Sequence, residues 1–440
     1  MRELFVLERY YWESSNNRLQ QGFILSITLN KPIPDDVLTE AIRLTGLDHP
    51  WIFQNIKVKD AQGPDRIEPI KKRLVTEDLI KHVDNDEPNH ILETLRLETT
   101  DDNCAWVVLV KENRFTLFLN HTFFDGMSAY NLWSSIIKYA NQGVRSTDGL
   151  IYDGNGQNIL SRHAYEEVEM KLMDKISAKI APYWIQYVAP SIAKIFPSHL
   201  FSIPGFNLQE VLLDKNGNIR QDQKRLKWTI PPTQLKEILA EVRARNLTLT
   251  VWICAKLAYQ LTKIKSSTKG STIKLAIPMS MRPFLIEKLG KDPKDIATGN
   301  YVSAAYCTLS LDKYGSELWT IADEINKSLQ KAKEDPVANI NYVKLLDEVD
   351  LTKFIKEKYK TTSSPCTLEL SNLGMLDPSS PDDEYQLLDA EFQQPMLTSS
   401  ILCCSSISTR LGGLTVNFSY PIELDKIITP AFEELVNPRN

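Results

Sequence analysis

The sequence predicts an α/β protein of two lobes, each a mixed sheet with flanking helices. Three observations predict it. At 440 residues the chain exceeds what one hydrophobic core usually supports, and two units of roughly 200 residues each are expected. Both halves alternate period-two, strand-like runs with runs of helical period. A polar, turn-rich stretch at 207–227 stands between the halves, dividing the chain into an N-terminal lobe at 1–206, a crossover at 207–227 and a C-terminal lobe at 228–440.

The elements follow in order. Glu3 to Glu13 reads as a short helix whose aromatic residues, Tyr10, Tyr11 and Trp12, suit a core. Gln21 to Leu29 alternates in polarity as a strand does, and Pro34-Asp35-Asp36 opens a helix to about Leu44. Asn103 to Val110 and Arg114 to Asn120 flank Lys111-Glu112-Asn113 as a hairpin. Next comes His121-Thr122-Phe123-Phe124-Asp125-Gly126, then a helix that buries Leu132, Trp133, Ile136, Ile137 and Ala140 at helical spacing. Ala164 to Phe196 is mostly helical, broken by Pro182 and Pro190. Pro197 to Phe206 is apolar and irregular, suited to packing under a loop or to covering a lipophilic site. Asp214 to Asn218 carries an Asn-Gly turn. Ile219 and Arg225 stand where a calcium-binding loop requires glycine and glutamate. In the second half, helices are expected at Thr233–Arg245, Leu249–Thr262 and Leu318–Lys333. Strands are expected at Ile273–Pro278, Val302–Leu309, Cys366–Leu370 and Leu414–Ser419.

Composition narrows the function. With 42% hydrophobic and 24% charged residues, a net charge of -5 and no Lys/Arg-rich block, nucleic acid is not an expected partner. The N-terminus mixes charges into its apolar run, unlike a secretory signal, and no apolar stretch reaches the roughly 20 residues of a membrane span. A cytoplasmic monomer is expected, with peripheral contact to the endoplasmic reticulum or lipid droplets left open at Ser191–Phe206. The six cysteines show no Cys-x-x-Cys spacing, and adjacent Cys403 and Cys404 would face opposite sides of a strand, so buried free thiols and no metal are expected. Phosphate-cradling Gly-rich loops, the Gly-x-Ser-x-Gly elbow and His-Glu-x-x-His are all missing.

What remains is His121, delivered by a strand to a loop before a helix. A lone imidazole can take the proton of an acceptor hydroxyl or amine and return it to a leaving group. That suits acyl transfer from a thioester, because a thiolate leaves readily; a donor for the oxyanion is the remaining need. Asp125, four residues on and beside Gly126, need not orient His121 and can instead pair with a cation.

The His121-x-x-x-Asp125-Gly126 motif resembles that of the coenzyme-A-dependent acyltransferase superfamily related to chloramphenicol acetyltransferase. Pro278-Met-Ser-Met-Arg282-Pro283, Gly299-Asn-Tyr-Val302, Ser371-Asn-Leu-Gly374 and Gly412 to Ser419 follow in order. With the opening helix, they are similar to the yeast and fungal alcohol O-acetyltransferase branch. The resemblance implies two chloramphenicol-acetyltransferase-like lobes with an active-site channel between them. His121 would be the general base, with acetyl-CoA entering as cosubstrate from one side and the acceptor from the other. It further implies a structural ion pair between Asp125 and Arg282 that holds the motif loop. Ser371 or Asn372 is the candidate for the oxyanion or thioester neighbourhood; Phe123 and Phe124, of a type more often found in the core, are candidates for the channel lining.

Two departures direct the resemblance towards the fungal branch. Condensation domains carry a second histidine where this chain has Asn120, and the plant-type Asp-Phe-Gly-Trp-Gly element has only a loose counterpart at Asn417–Pro421. The function expected is an acetyl-CoA:alcohol O-acetyltransferase acting on a small or lipophilic alcohol. Its rivals are N-acetylation of an amine such as a sphingoid-type long-chain base, a non-catalytic binder of lipophilic ligands, and a ping-pong enzyme using Cys104.

Overall fold

The strand-like runs pair into two mixed sheets. The computed structural model describes residues 2–17, 22–60, 63–97, 103–156, 162–170, 176, 179, 180, 223–264, 272–310, 317–348, 350–360, 366–395 and 400–436. Around β1 (Gly22–Leu29), β5 (Ile80–His82), β6 (Trp106–Lys111), β7 (Arg114–Asn120) and β13 (Leu387–Gln393), the five-stranded sheet runs in the order β13-β1-β7-β6-β5. The six-stranded sheet is built from β9 (Gln223–Ile230), β10 (Thr272–Ser280), β11 (Val302–Ser310), β12 (Cys366–Leu376), β14 (Ser400–Thr409) and β15 (Gly413–Pro421), in the order β11-β10-β12-β14-β15-β9. Two small ribbons pair β2 (Gln54–Asp60) with β3 (Gly63–Pro69) and β4 (Leu74–Val75) with β8 (Leu150–Tyr152). Two mixed α/β lobes are therefore present, as the sequence predicts.

Each lobe has its own core. In the first, the helix Gly126–Ala140 lays Ala129, Leu132, Trp133, Ile136, Ile137 and Ala140 onto Leu25, Ile27 and Leu117 of the sheet. In the second, the helix Leu249–Thr262 is capped by Thr248, whose Oγ1 accepts from Val251 N at 3.3 Å. That helix is apolar nearly all round, the pattern of one enclosed on several sides, and it packs on Leu368, Leu370, Val416 and Phe418.

The lobes are not separated in sequence. After β12 the chain leaves the second sheet, adds β13 antiparallel to β1 of the first sheet, and returns as β14 parallel to β12. Of the expected crossover 207–227, residues 207–222 fall outside the described residues, and 223–227 are the start of β9 in the second sheet. The apolar run Pro197–Phe206 and the turn Asp214–Asn218 also lie outside them. A carboxylate fastens the junction. Glu391 on β13 accepts from Arg114 Nη2 of β7 at 2.9 Å and from Lys227 Nζ of β9 at 3.3 Å, one partner from each sheet.

Among the described residues no helix is long and apolar enough to cross a membrane. None of the six cysteines forms a disulfide. Burial pushes the Cys104 thiol up to about 12, so it stays protonated near neutrality and is a poor nucleophile.

Candidate active site

β7 ends at Asn120, and the turn that follows is made locally. The Asn120 side-chain oxygen accepts from Thr122 N at 2.9 Å and its backbone oxygen from Phe123 N at 3.2 Å, an Asx-type turn. His121 leaves this turn at 8% exposure. Phe123 and Phe124, candidates either for the core or for a channel lining, sit in the first-lobe core at 1% exposure each. Two large apolar rings in a loop beneath a helix gain more by burial there than beside a wet passage.

Asp125 is the N-cap of the helix Gly126–Ala140, and its Oδ1 accepts from Ser128 N and Ser128 Oγ, both at 2.9 Å. Its remaining capacity is spent on the other lobe. Arg282 Nη1 donates to Oδ2 at 2.7 Å, Arg282 Nη2 to Oδ1 at 2.9 Å, and Tyr301 N to Oδ2 at 2.9 Å. The guanidinium is itself filled, with Nε donating to Ile296 O at 2.6 Å and Nη2 to Gly299 O at 3.1 Å. Burial works to raise the Asp125 pKa, but the Arg282 charge and the hydrogen bonds from Arg282, Tyr301 and Ser128 outweigh it. The carboxyl is held below the usual carboxylate range. Gly126 follows because the second lobe crowds it: a Cβ there would lie 2.6 Å from Leu373 Cδ2.

The facing segment is Gly299-Asn300-Tyr301, which leads into β11. Gly299 has φ +129°, a conformation that side-chain-bearing residues rarely adopt. Asn300 Nδ2 donates to the His121 carbonyl at 2.8 Å and lies 3.5 Å from His121 Nδ1. The Tyr11 ring stacks on the imidazole with centroids 4.1 Å apart and planes 6° from parallel, and Phe23 meets it edge-on at 5.1 Å. Burial pushes the His121 pKa down to about 4, against backbone hydrogen bonding at His121 and Phe124 and the Asp125 charge. At neutral pH the imidazole is therefore unprotonated, the form a proton acceptor requires.

The structure brings His121, Asp125, Gly126 and Arg282 together and adds Tyr11, Ser128, Asn300 and Tyr301. It divides the remaining pair. On β12, Leu368 and Leu370 face the second-lobe core, and Asn372 follows them, donating from Nδ2 to Thr250 Oγ1 at 3.0 Å on the helix side. Ser371 alternates to the other face with Leu373, which packs into the first-lobe core. Tyr11 was read from the sequence as a core residue, and Ser128 carried no signal of its own. Asn300 lay inside the Gly299–Val302 stretch without a role. Among the described residues, no group of three or more His, Cys, Asp or Glu side chains is placed to hold a metal ion.

Two mixed-sheet lobes that meet at the motif histidine define a fold shared with solved acetyltransferase and condensation-domain structures. Trichothecene 15-O-acetyltransferase from Fusarium sporotrichioides shares this fold at a TM-score of 0.68 and 12% identity, over 99% of this chain and 94% of that one. So does the first condensation domain of the CDA synthetase, at a TM-score of 0.60 and 12% identity, over 99% of this chain and 94% of that one. A family model described as alcohol acetyltransferase matches residues 71–437, and the chain belongs to that family. N-acetyltransferase SLI1 of Saccharomyces cerevisiae is 25% identical over 459 residues, covering 98% of this chain and 97% of that protein. Membership makes the protein an acetyltransferase and implies acetyl-CoA as its cosubstrate.

Proposed function

We propose that the protein transfers the acetyl group of acetyl-CoA to the hydroxyl of a small or lipophilic alcohol within a ternary complex, with His121 as general base. The imidazole takes the hydroxyl proton as the oxygen attacks the thioester carbonyl. The tetrahedral intermediate then expels the thiolate, which receives that proton from the imidazolium. An ester and free coenzyme A result, with no covalent enzyme intermediate. Ser371, on the face of β12 turned towards the first lobe, is the donor we assign to the oxyanion.

One observation carries this reading. Asp125 is fully engaged by Arg282, Ser128 and Tyr301, which leaves His121 as the member of the motif free to move a proton. A second reading, N-acetylation of an amine, is favoured by the whole-length relative described as an N-acetyltransferase. The same base serves an amine once it is deprotonated.

A panel of alcohols and amines with acetyl-CoA, followed by thiol release and product mass, tests both. An ester is the expected product, and an amide as the sole product would move the assignment to the second reading. His121→Ala is expected to lose roughly 10²–10⁴-fold in kcat, and full turnover in that variant would overturn the mechanism. Failure to bind acetyl-CoA by calorimetry would leave a non-catalytic binder instead.

A further inference from the structure

His163 is another buried histidine, at 2% exposure, lying 42 residues beyond His121 in sequence. It opens the short 3-10 turn Ala164–Glu167, and its ring stacks on Phe5 with centroids 4.4 Å apart and planes 6° from parallel. Tyr165 and Tyr301 enclose it at 5.0 and 4.9 Å. Both ring nitrogens are committed. Tyr165 N, a backbone donor, points at Nδ1 at 3.2 Å, so Nδ1 must be the acceptor. The proton therefore sits on Nε2, which lies 3.1 Å from the Asn300 carbonyl oxygen and donates to it. A histidine with both nitrogens occupied has no free lone pair for acid–base chemistry.

Asn300 is what links this ring to the site. Its carbonyl is held by His163 and its side-chain amide by the His121 carbonyl, so one residue bridges the two histidines. Gly299 and Tyr301 on either side are anchored to Ser128, Arg282 and Asp125. The 300–301 peptide unit is thus held at both ends, its carbonyl by His163 and its N–H by Asp125. Losing the His163 bond would leave that peptide held at one end and loosen the placement of the Asn300 amide against His121. On the far side a buried ion pair backs the assembly: Arg2 donates to Glu8 at 2.5 and 2.6 Å, and Glu8 also accepts from Phe5 N at 2.8 Å. This fixes the helix that carries both Phe5's neighbour stack and Tyr11. Burial pushes the His163 pKa down to about 4, with the Glu8 charge opposing, so the ring stays neutral at physiological pH.

We infer that His163 is a positioning residue for the acetyl transfer: its Nε2–H locks the Asn300 peptide so that the Asn300 amide holds the His121 backbone and sets the imidazole's orientation. This inference rests on the assignment of His121 as the base, and its test separates the two.

His163→Phe keeps the flat ring against Phe5 but removes the donor; His163→Gln loses the ring but returns an amide donor at the position of Nε2. The expected result is a folded His163→Phe protein whose kcat falls about tenfold or more, a loss of the size that misplacing a catalytic group produces, with KM for acetyl-CoA unchanged. His163→Gln should recover most of that kcat. Alongside, NMR titration of ring-labelled histidine reads the His121 environment without reference to turnover. The His121 midpoint, near 4 in the parent, should move in His163→Phe and return in His163→Gln. Parent-like kcat and an unmoved His121 titration in His163→Phe would overturn the inference. A His121 titration that moves while His121→Ala keeps full activity would instead uphold the linkage and sink the base assignment. If His163→Phe does not fold, Asn300→Asp takes its place: a carboxylate 3.5 Å from Nδ1 should raise the His121 midpoint, and an unchanged midpoint overturns the inference.

Discussion

The Tyr11 ring lies flat on the His121 imidazole, 4.1 Å away and 6° from parallel. The helix Val6–Asn16, at the start of the chain, thereby closes one face of the motif histidine, while the Phe23 edge at 5.1 Å closes another side. An imidazole held on two sides has little rotational freedom to lose on reaching a reactive geometry. The same enclosure excludes water and lowers its pKa.

Tyr11→Ala should therefore act on kcat rather than on acetyl-CoA binding. We expect a loss of about tenfold, of the kind caused by a loosened catalytic group. The acid limb of the pH–rate profile should rise from near 4 towards 6.5 as water reaches the ring. Tyr11→Phe keeps the stack and should behave like the parent. Parent-like kcat in Tyr11→Ala would show that the stack is ordinary packing.

Removing the cation from the motif should be a folding defect before it is a chemical one. Arg282→Met leaves the Asp125 carboxylate buried without its partner, with an expected cost of about 3–5 kcal/mol in urea unfolding. Asp125→Asn in the same background should restore part of it, because the pair is coupled. Arg282→Lys cannot reproduce the two-pronged contact and should fall between. An unchanged unfolding midpoint in Arg282→Met would contradict the structural role.

Gly126→Ala tests the closeness of the lobes. Its Cβ would lie 2.6 Å from Leu373 Cδ2, so a loss of about 1–3 kcal/mol from overpacking is expected. The neighbour is the tip of a flexible side chain, so Leu373→Ala should absorb the clash, and the double variant should lose less than the two singles summed. Strict additivity would mean that the glycine serves some other purpose.

Stability should fall on mild acidification. His121 and His163 are both pushed by burial from 6.5 to about 4, and burial lowers His49 as well. Between those values the unfolded chain binds protons that the folded chain refuses. The stability is therefore fully present above pH 6.5 and is lost as pH falls through the window towards 4. The two strongly shifted groups together give a slope of roughly 2–3 kcal/mol per pH unit at mid-window. Asp125, held below 3.8 in the fold, adds its loss only at lower pH. Urea midpoints at pH 7 and 5 check this, and His163→Phe should roughly halve the slope. A flat profile would refute the burial of neutral imidazoles.

Much of the secondary structure was legible because its signals are local. The helix expected at Leu249–Thr262 has those bounds, and the hairpin around 111–113 joins β6 to β7. β13 and β14 were not anticipated. The run Ser400–Thr409 is buried at every position, so it shows no alternation of polarity to betray a strand. β9 lies where polar composition suggested a crossover, because its outward positions are charged.

By itself the sequence determined the two-lobed α/β class, the identity of the motif histidine and aspartate, and the arginine suited to pair with the latter. The class and the motif depend on periodicity and on residue types a few positions apart, which a linear chain displays, whereas the partner Arg282 is what the family resemblance implies. Only the tertiary structure decided that Ser371 and Asn372 part to opposite faces, and that Tyr11, Asn300 and His163 gather around His121. The reason is physical. A side chain's environment is set by which elements pack against it, and the partners of His121 come from a helix at residues 6–16, a strand at 22–29 and a segment at 299–301, separations over which sequence carries no phase.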